Sequence, residues 1–249
     1  DAWRAIETTE PDPEWRAEAA DRARVVEEPE VDQAEVPRFD GLAREAAALL
    51  ERRGESVADE PAWHALRRRA EALAARGEAG ALRLVEALEP AQPDPQVHNA
   101  LRRYVEALDL WSAGEFAGSQ TAYLEVVKLA SGPGAAASTL RLRATIGAAR
   151  QDVYAGRYAV AEGRFASALA SSGEEADAEL RGHARWGLGL STGRRRDLVA
   201  ADEHLAIAAS HFRGLGQAEE VGALWSMRAG ILNANGETDR ALSELLSAL

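Results

Sequence analysis

The 249-residue sequence predicts an all-α fold of successive antiparallel helices, on three observations. Alanine, leucine, glutamate and arginine dominate it; these residues lose little side-chain freedom in a helix. Glycine and proline breakers fall at intervals, and the segments between them, about 12 to 20 residues each, carry apolar positions three and four apart. β-branched residues never gather into an alternating strand.

Along the chain, residues 1–26 read as a helical piece whose first helix ends in Glu10-Pro11-Asp12-Pro13. Residues 27–40 (EEPEVDQAEVPRFD) are acidic, carry two prolines and have little apolar content. They are expected to form a linker or irregular crossover. Residues 41–249 read as one helical array, broken at Gly54 and Pro61, Gly77, Pro90 to Pro95, Gly114, Gly132 to Gly134, Gly156, Gly173, Gly214 and Gly216, and Gly236. Its last segment carries an apolar stripe of Ala241, Leu242, Leu245, Leu246 and Leu249, in the middle of which the sequence stops. The array is therefore expected to be truncated there, and its last helix to fray or to pair with a second copy.

An internal repeat sets the expected architecture. Four turns align: Ala113-Gly114-Glu115-Phe116, Ala155-Gly156-Arg157-Tyr158, Arg195-Arg196-Asp197-Leu198 and Asn235-Gly236-Glu237-Thr238, spaced 42, 40 and 40 residues apart. After each turn a small–large–small pattern returns: Ala161, Phe165 and Ala168; Ala201, Leu205 and Ala208; Ala241, Leu245 and Ala248; most loosely Ser119, Tyr123 and Val126. Small residues let two helices approach closely at two points, and the large one fills the groove between. Before each turn a further small residue, Ala107, Ala149, Gly189 or Ala229, supplies the matching contact. A weaker copy runs from Trp63 to Pro93, with its turn at Gly77 and Ala81, Val85 and Leu88 following.

These residues resemble the tetratricopeptide repeat. That family pairs helices through small residues, turns on Gly or Asn, follows the turn with Tyr or Phe, and often ends the unit with proline. Pro13, Pro93 and Pro133 suit that last place. The period near 40 exceeds the usual ~34, and Arg194-Arg195-Arg196 replaces a turn glycine. The resemblance implies a right-handed solenoid of helix pairs and a non-catalytic scaffold that binds protein or peptide. A second resemblance concerns the parent protein. Trp3, Ile6, Glu10-Pro11-Asp12-Pro13, Trp15, Glu18 and Ala19, with Phe212, Leu215 and Gly216, look like the repeat region of bacterial CHAT-domain proteins. Those carry a caspase-like protease domain with a His–Cys pair. This chain has no cysteine, so such a domain would lie beyond Leu249. The rival parent is a large bacterial transcriptional regulator with a ligand-sensing repeat domain.

Composition narrows the function classes. The net charge of -12 disfavours binding of phosphate backbones, so no nucleic-acid partner is expected. No apolar run nears the ~20 residues of a membrane span, and no signal peptide opens the chain. A cytoplasmic protein without a membrane partner is expected. Lys128 is the only lysine against many arginines, a usage associated with GC-rich bacterial genomes. Without cysteine there is no disulfide, thiolate nucleophile or cysteine-held zinc. His204 and His211 share a helix face, but no third ligand follows at a standard spacing. Gly132-Pro133-Gly134 and Gly214-Leu215-Gly216 follow no strand and lack the Gly-Lys-Ser/Thr of a phosphate loop. Neither enzyme activity, nor a metal, nor a cofactor is expected. The carboxylates, the clusters Arg67-Arg68-Arg69 and Arg194-Arg195-Arg196, and most of the six tryptophans read respectively as solvated faces, solvated edges and core.

The resemblance also selects a site. In tetratricopeptide arrays the first helix of each pair lines a concave groove. Carried onto this chain, that register selects Tyr104, Leu108 and Trp111; Arg143, Arg150 and Tyr154; His183, Trp186 and Arg194; and Asn233. Arginine and aromatic side chains are common interface anchors. The expected partner is an extended segment with acidic groups or a free C-terminal carboxylate.

Overall fold

A computed structural model describes residues 38–52, 60–88, 94–172, 178–234 and 236–247, all within a unit spanning 37–249. Among these residues lie eleven α-helices and no strand. They are α1 (Phe39–Arg52), α2 (Glu60–Ala75), α3 (Ala79–Leu88), α4 (Pro95–Ser112), α5 (Phe116–Leu129), α6 (Ala135–Tyr154), α7 (Tyr158–Ser171), α8 (Ala178–Arg194), α9 (Leu198–Gly214), α10 (Ala218–Ala234) and α11 (Thr238–Ser247). The expected helical piece at 1–26 lies outside the described residues.

Helix α1 begins at Phe39, inside the stretch expected to be a linker. Phe39, Leu42, Ala43, Ala46, Leu49 and Leu50 recur three and four apart and are all buried. Asp40 sits in the first turn, where a carboxylate meets the positive end of the helix dipole. At α4, Pro95 occupies the first turn and the Asp94 carboxylate accepts the Gln96 N–H at 2.8 Å; proline and an N-cap aspartate each suit those places.

From α4 to α11 the chain runs as four hairpins, α4–α5, α6–α7, α8–α9 and α10–α11, each packed on the next. Their turns share one geometry. Gly114, Gly156 and Gly236 take φ of 80°, 73° and 84°. The following N–H reaches back to a carbonyl of the preceding helix: Glu115 to Leu110 at 2.8 Å, Arg157 to Asp152 at 2.8 Å, Glu237 to Leu232 at 2.9 Å. This is the 6→1 bond that ends a helix on a left-handed residue. The third turn makes the same bond, Asp197 to Thr192 at 3.0 Å, with Arg196 at φ 67°. An L-residue there costs about 1–2 kcal/mol.

The small–large–small positions of the first three units are buried at helix contacts; Leu245 and Ala248 of the fourth lie outside the described side chains. Ala161, Phe165 and Ala168 pack with Leu142, Ile146, Ala149, Leu180, Ala184 and Leu188. Ala201, Leu205 and Ala208 are fully buried. Gly189 has the packing use its cost demands: a Cβ there would sit 2.6 Å from Leu205 and 3.2 Å from the Ala201 carbonyl oxygen. Gly187 is tighter still, its absent Cβ falling 2.2 Å from the Phe165 ring.

The weaker copy does not continue this stack. Helices α2 and α3 form a hairpin whose turn has Gly77 at φ 92°, and Ala81, Val85 and Leu88 are buried as the pattern requires. Yet α3 lies mainly on α6, and α1 lies on α4. The Gly77 turn reaches Leu215, which leads from α9 to α10; a Cβ at Gly77 would come within 2.6 Å of that side chain. Arg38 Nη2 donates to Glu220 Oε1 on α10 at 2.9 Å. The block α1–α3 thus crosses the row α4, α6, α8 instead of preceding it.

Carboxylates expected on solvated faces prove partly buried. The Asp152 side chain is buried and accepts Gln120 Nε2 and Arg157 Nε, both at 2.7 Å, with Arg164 Nε 2.8 Å away. It ties α5, α6 and α7 together. Asp202 on α9 likewise accepts Arg228 Nε of α10 at 2.8 Å. At each of these helix contacts arginines from the next element meet the carboxylate.

Candidate functional site

Helices α4, α6 and α8 lie side by side and turn the same face toward α1. From α4 come Tyr104, Leu108 and Trp111; from α6, Arg143, Ile146, Arg150 and Tyr154; from α8, His183, Trp186, Leu190 and Arg194. With Arg38, Phe39 and Asp40 of the α1 end, they enclose a cavity of about 690 Å³. Nine of the ten residues selected from the sequence line it. Asn233 does not; it is exposed on α10, and its Oδ1 accepts the Thr238 hydroxyl at 3.1 Å.

Burial falls along each helix in the same direction. Tyr104 is buried and Trp111 half-buried; Arg143 is buried, while Arg150 and Tyr154 are exposed; Glu179 is buried, His183 and Trp186 are half-buried, and Arg194 is exposed. The cavity is therefore closed at the N-terminal ends of the three helices and open at their C-terminal ends.

The closed end is an ion cluster made within the chain. Arg143 Nη2 donates to Glu179 Oε2 at 2.8 Å and lies 3.6 Å from Glu78 Oε2. Its guanidinium stacks 3.8 Å over the Phe39 ring. The Tyr104 hydroxyl donates to Asp40 Oδ1 at 2.8 Å, and its ring meets Phe39 edge-on at 6.1 Å. Burial alone would raise the Glu179 carboxyl, but Arg143 and His183 outweigh it and hold it well below the usual range. Burial, and then Asp40, push Tyr104 far above an ordinary phenol. Arg143 stays charged: the neighbouring carboxylates, Glu179 first, outweigh its burial. Removing one member of such a cluster strands buried charge, at about 3–5 kcal/mol. Arg143 and Tyr104, selected as partner contacts, are already occupied by Asp40, Glu78 and Glu179.

The open end differs. Among the described residues neither Arg150 nor Arg194 has an ion-pair partner. Trp111 packs against Phe116 and Tyr154, with ring centroids at 5.0 and 5.1 Å. Trp186 meets His183 and Phe212, and its Nε1–H points to Met227 Sδ at 3.2 Å. Burial and the nearby Arg150 lower the His183 pKa, so the ring is neutral at pH 7.

The tryptophans depart from the expected core. Trp63 is buried, but Trp111, Trp186 and Trp225 are only half so. Two of them face the cavity, and Trp225 lies under the Arg228 and Arg213 guanidiniums at 4.6 and 5.5 Å. Trp3 and Trp15 lie outside the described residues, as do the other motif residues at 3–19. The basic clusters divide. Arg67 pairs with Glu71 at 3.3 Å and Arg69 with Glu45, whereas Arg194 lines the cavity.

Sequence reasoning missed Phe39, Asp40, Tyr123, Gln151, Tyr158 and Glu179 as lining residues. The apolar period of 39–50 was the available signal for α1. Glu179 lies one turn before His183 and Gln151 next to Arg150, so the register of α6 and α8 offered a signal for both, while Tyr123 and Tyr158 stood in the repeat itself, marked as packing and turn positions. His204 and His211 do face one side, but Arg185 Nη1 sits 3.2 Å from His204 Nδ1. Burial and then Arg185 lower the His204 pKa, and burial, then Arg181 and Arg185, lower that of His211. Among the described residues no group of three His, Asp or Glu is placed to hold a metal ion, and no helix is long and apolar enough to cross a membrane.

No protein-family model matches the chain, and no curated protein matches it.

Proposed function

We propose that this chain is a non-catalytic binding module, a right-handed solenoid of tetratricopeptide-like helix pairs with a period near 40 residues. In this reading it serves a larger bacterial signalling or CHAT-type, protease-regulating protein. Its inner helices α4, α6 and α8 capture a protein or peptide segment that carries a carboxylate. One observation carries the reading: unpaired Arg150 and Arg194 stand among aromatic side chains at the open end of the cavity. A planar guanidinium binds a carboxylate bidentately, and rigid aromatic area supplies the rest of the contact. The partner meets Trp111, Arg150, Tyr154, Trp186 and Arg194, because Tyr104 and Arg143 are held internally. Selection of displayed peptides against the chain tests this. Acidic or C-terminally free sequences should be enriched, and Arg150→Glu with Arg194→Glu should abolish their retention. Enrichment that survives the double substitution in a folded chain would end the reading.

The closed end of the cavity favours a second reading, a sensor domain of a transcriptional regulator. A segment that passes through a groove needs both of its ends open, whereas a chain end or a small molecule does not. A cavity of about 690 Å³ has the size of a small-molecule site.

A further inference from the structure

We infer that the cavity is a site for one small organic oxyanion carried on a flat aromatic body. The inference rests on the sensor reading and names its ligand class.

The side chains are concentrated beyond what a helix contact needs. All four tyrosines of the chain, Tyr104, Tyr123, Tyr154 and Tyr158, line this one cavity. Trp111 and Trp186 join them. In ordinary packing, aromatics spread through the core. Here the interior between α6, α7 and α8 is built mainly from alanine, leucine and a single phenylalanine. The aromatic rings have been placed where a flat ligand would stack.

The charge points the same way. The chain carries a net -12, yet four arginines (38, 143, 150 and 194) line the cavity against two carboxylates, Asp40 and Glu179. Arg38 and Arg143 are spent on Glu220 and on Glu179. Arg150 and Arg194 remain, on adjacent helices, and an oxyanion of the ligand is their complement.

The test is competition against 8-anilinonaphthalene-1-sulfonate, a fluorescent aromatic anion, on the full chain. A panel of indole-3-acetate, 4-hydroxybenzoate and 2-naphthoate is compared with the matched neutral amides. The expected result is one bound dye per chain, displaced by at least one acid at a tenfold lower concentration than its amide. Arg150→Gln with Arg194→Gln should weaken dye binding at least tenfold and erase the acid preference. Both positions are exposed, so thermal unfolding should stay unchanged and certify the fold. A native chain that leaves the dye dark, equal displacement by acids and amides, or an unchanged preference in the double variant each overturns the inference. A parallel arm uses the peptide acetyl-Ala-Ala-Glu-Trp as free acid and as amide. Displacement by the free-acid peptide and by none of the small acids overturns the small-ligand site and leaves the peptide reading standing. Displacement by neither class removes both.

Discussion

Gly187 leaves no room for even one more carbon. A methyl there would start 2.2 Å from the Phe165 ring, which is itself fully buried. Gly187→Ala gains about 1 kcal/mol in helix propensity, but overpacking a filled core costs about 1–3 kcal/mol or more. The clash is with a rigid ring, so overpacking should win. The variant should unfold at lower urea concentration than the parent, by about 1–2 kcal/mol. A stabilised variant would mean that α7 and α8 are farther apart than described. Residues of this kind were partly legible in the sequence. Gly189 stood out because glycine inside a helix is expensive without a reason, and its register matched Ala107, Ala149 and Ala229. Gly187 shares its helix but not that register, so no repeat pattern marked it. Its partner Phe165 lies 22 residues earlier, on another element.

At the scale of elements, the hairpins α4–α5, α6–α7, α8–α9 and α10–α11 could be read from the turn residues alone. The turn at Arg196 was legible despite its missing glycine because the pattern after it continued. The course of α1–α3 was not legible. The acidic, proline-bearing composition of 27–40 concealed the start of an amphipathic helix at Phe39. Helix α3, with Leu84, Val85 and Leu88 buried, lies on α6 beside the ion pairs of Arg143 with Glu78 and Glu179, and contacts between distant elements leave no local spacing. The same pairs make the fold sensitive to acid. The His183 pKa is lowered on folding, by burial and then by Arg150, so the unfolded chain takes up its proton first. Stability should decline as pH falls through about 6.5. Glu179 is held low by Arg143, so its contribution is present above the ordinary carboxylate range and is lost below about pH 4. Urea midpoints at pH 7.5, 5.5 and 3.5 should fall stepwise. His183→Gln should flatten the first step and Glu179→Gln the second. A first step that survives His183→Gln would assign it to His204 or His211, whose pKa values are also lowered.

Across the whole molecule, cohesion is uneven. Helix α7 is packed from two sides, by α6 and by α8, and buries Ala161, Phe165 and Ala168. Helix α11 packs on α10, with Ala241 buried but Leu242 and Leu246 55% and 63% exposed. Native-state hydrogen exchange should therefore be at least about tenfold faster for amides of α11 than for those of α7. Equal protection in a chain shown to be monomeric would contradict this gradient. Equal protection in a dimer would place the second copy on Leu242 and Leu246. One further consequence belongs to the order in which the chain is made. The Arg38–Glu220 bond joins residues 182 apart, and the Gly77 turn finds Leu215 only once α9 is finished. The hairpins after α4 can each form as they leave the ribosome, because their contacts are local. The block α1–α3, though synthesised before them, can lay α1 on α4 but cannot seat α3, the Gly77 turn and Arg38 until α6, α9 and α10 exist. The segment that closes the cavity is born early and fully seated only late, so a ribosome stalled before residue 178 would carry a nascent chain whose cavity lacks its third wall and, with it, Glu179 of the ion cluster.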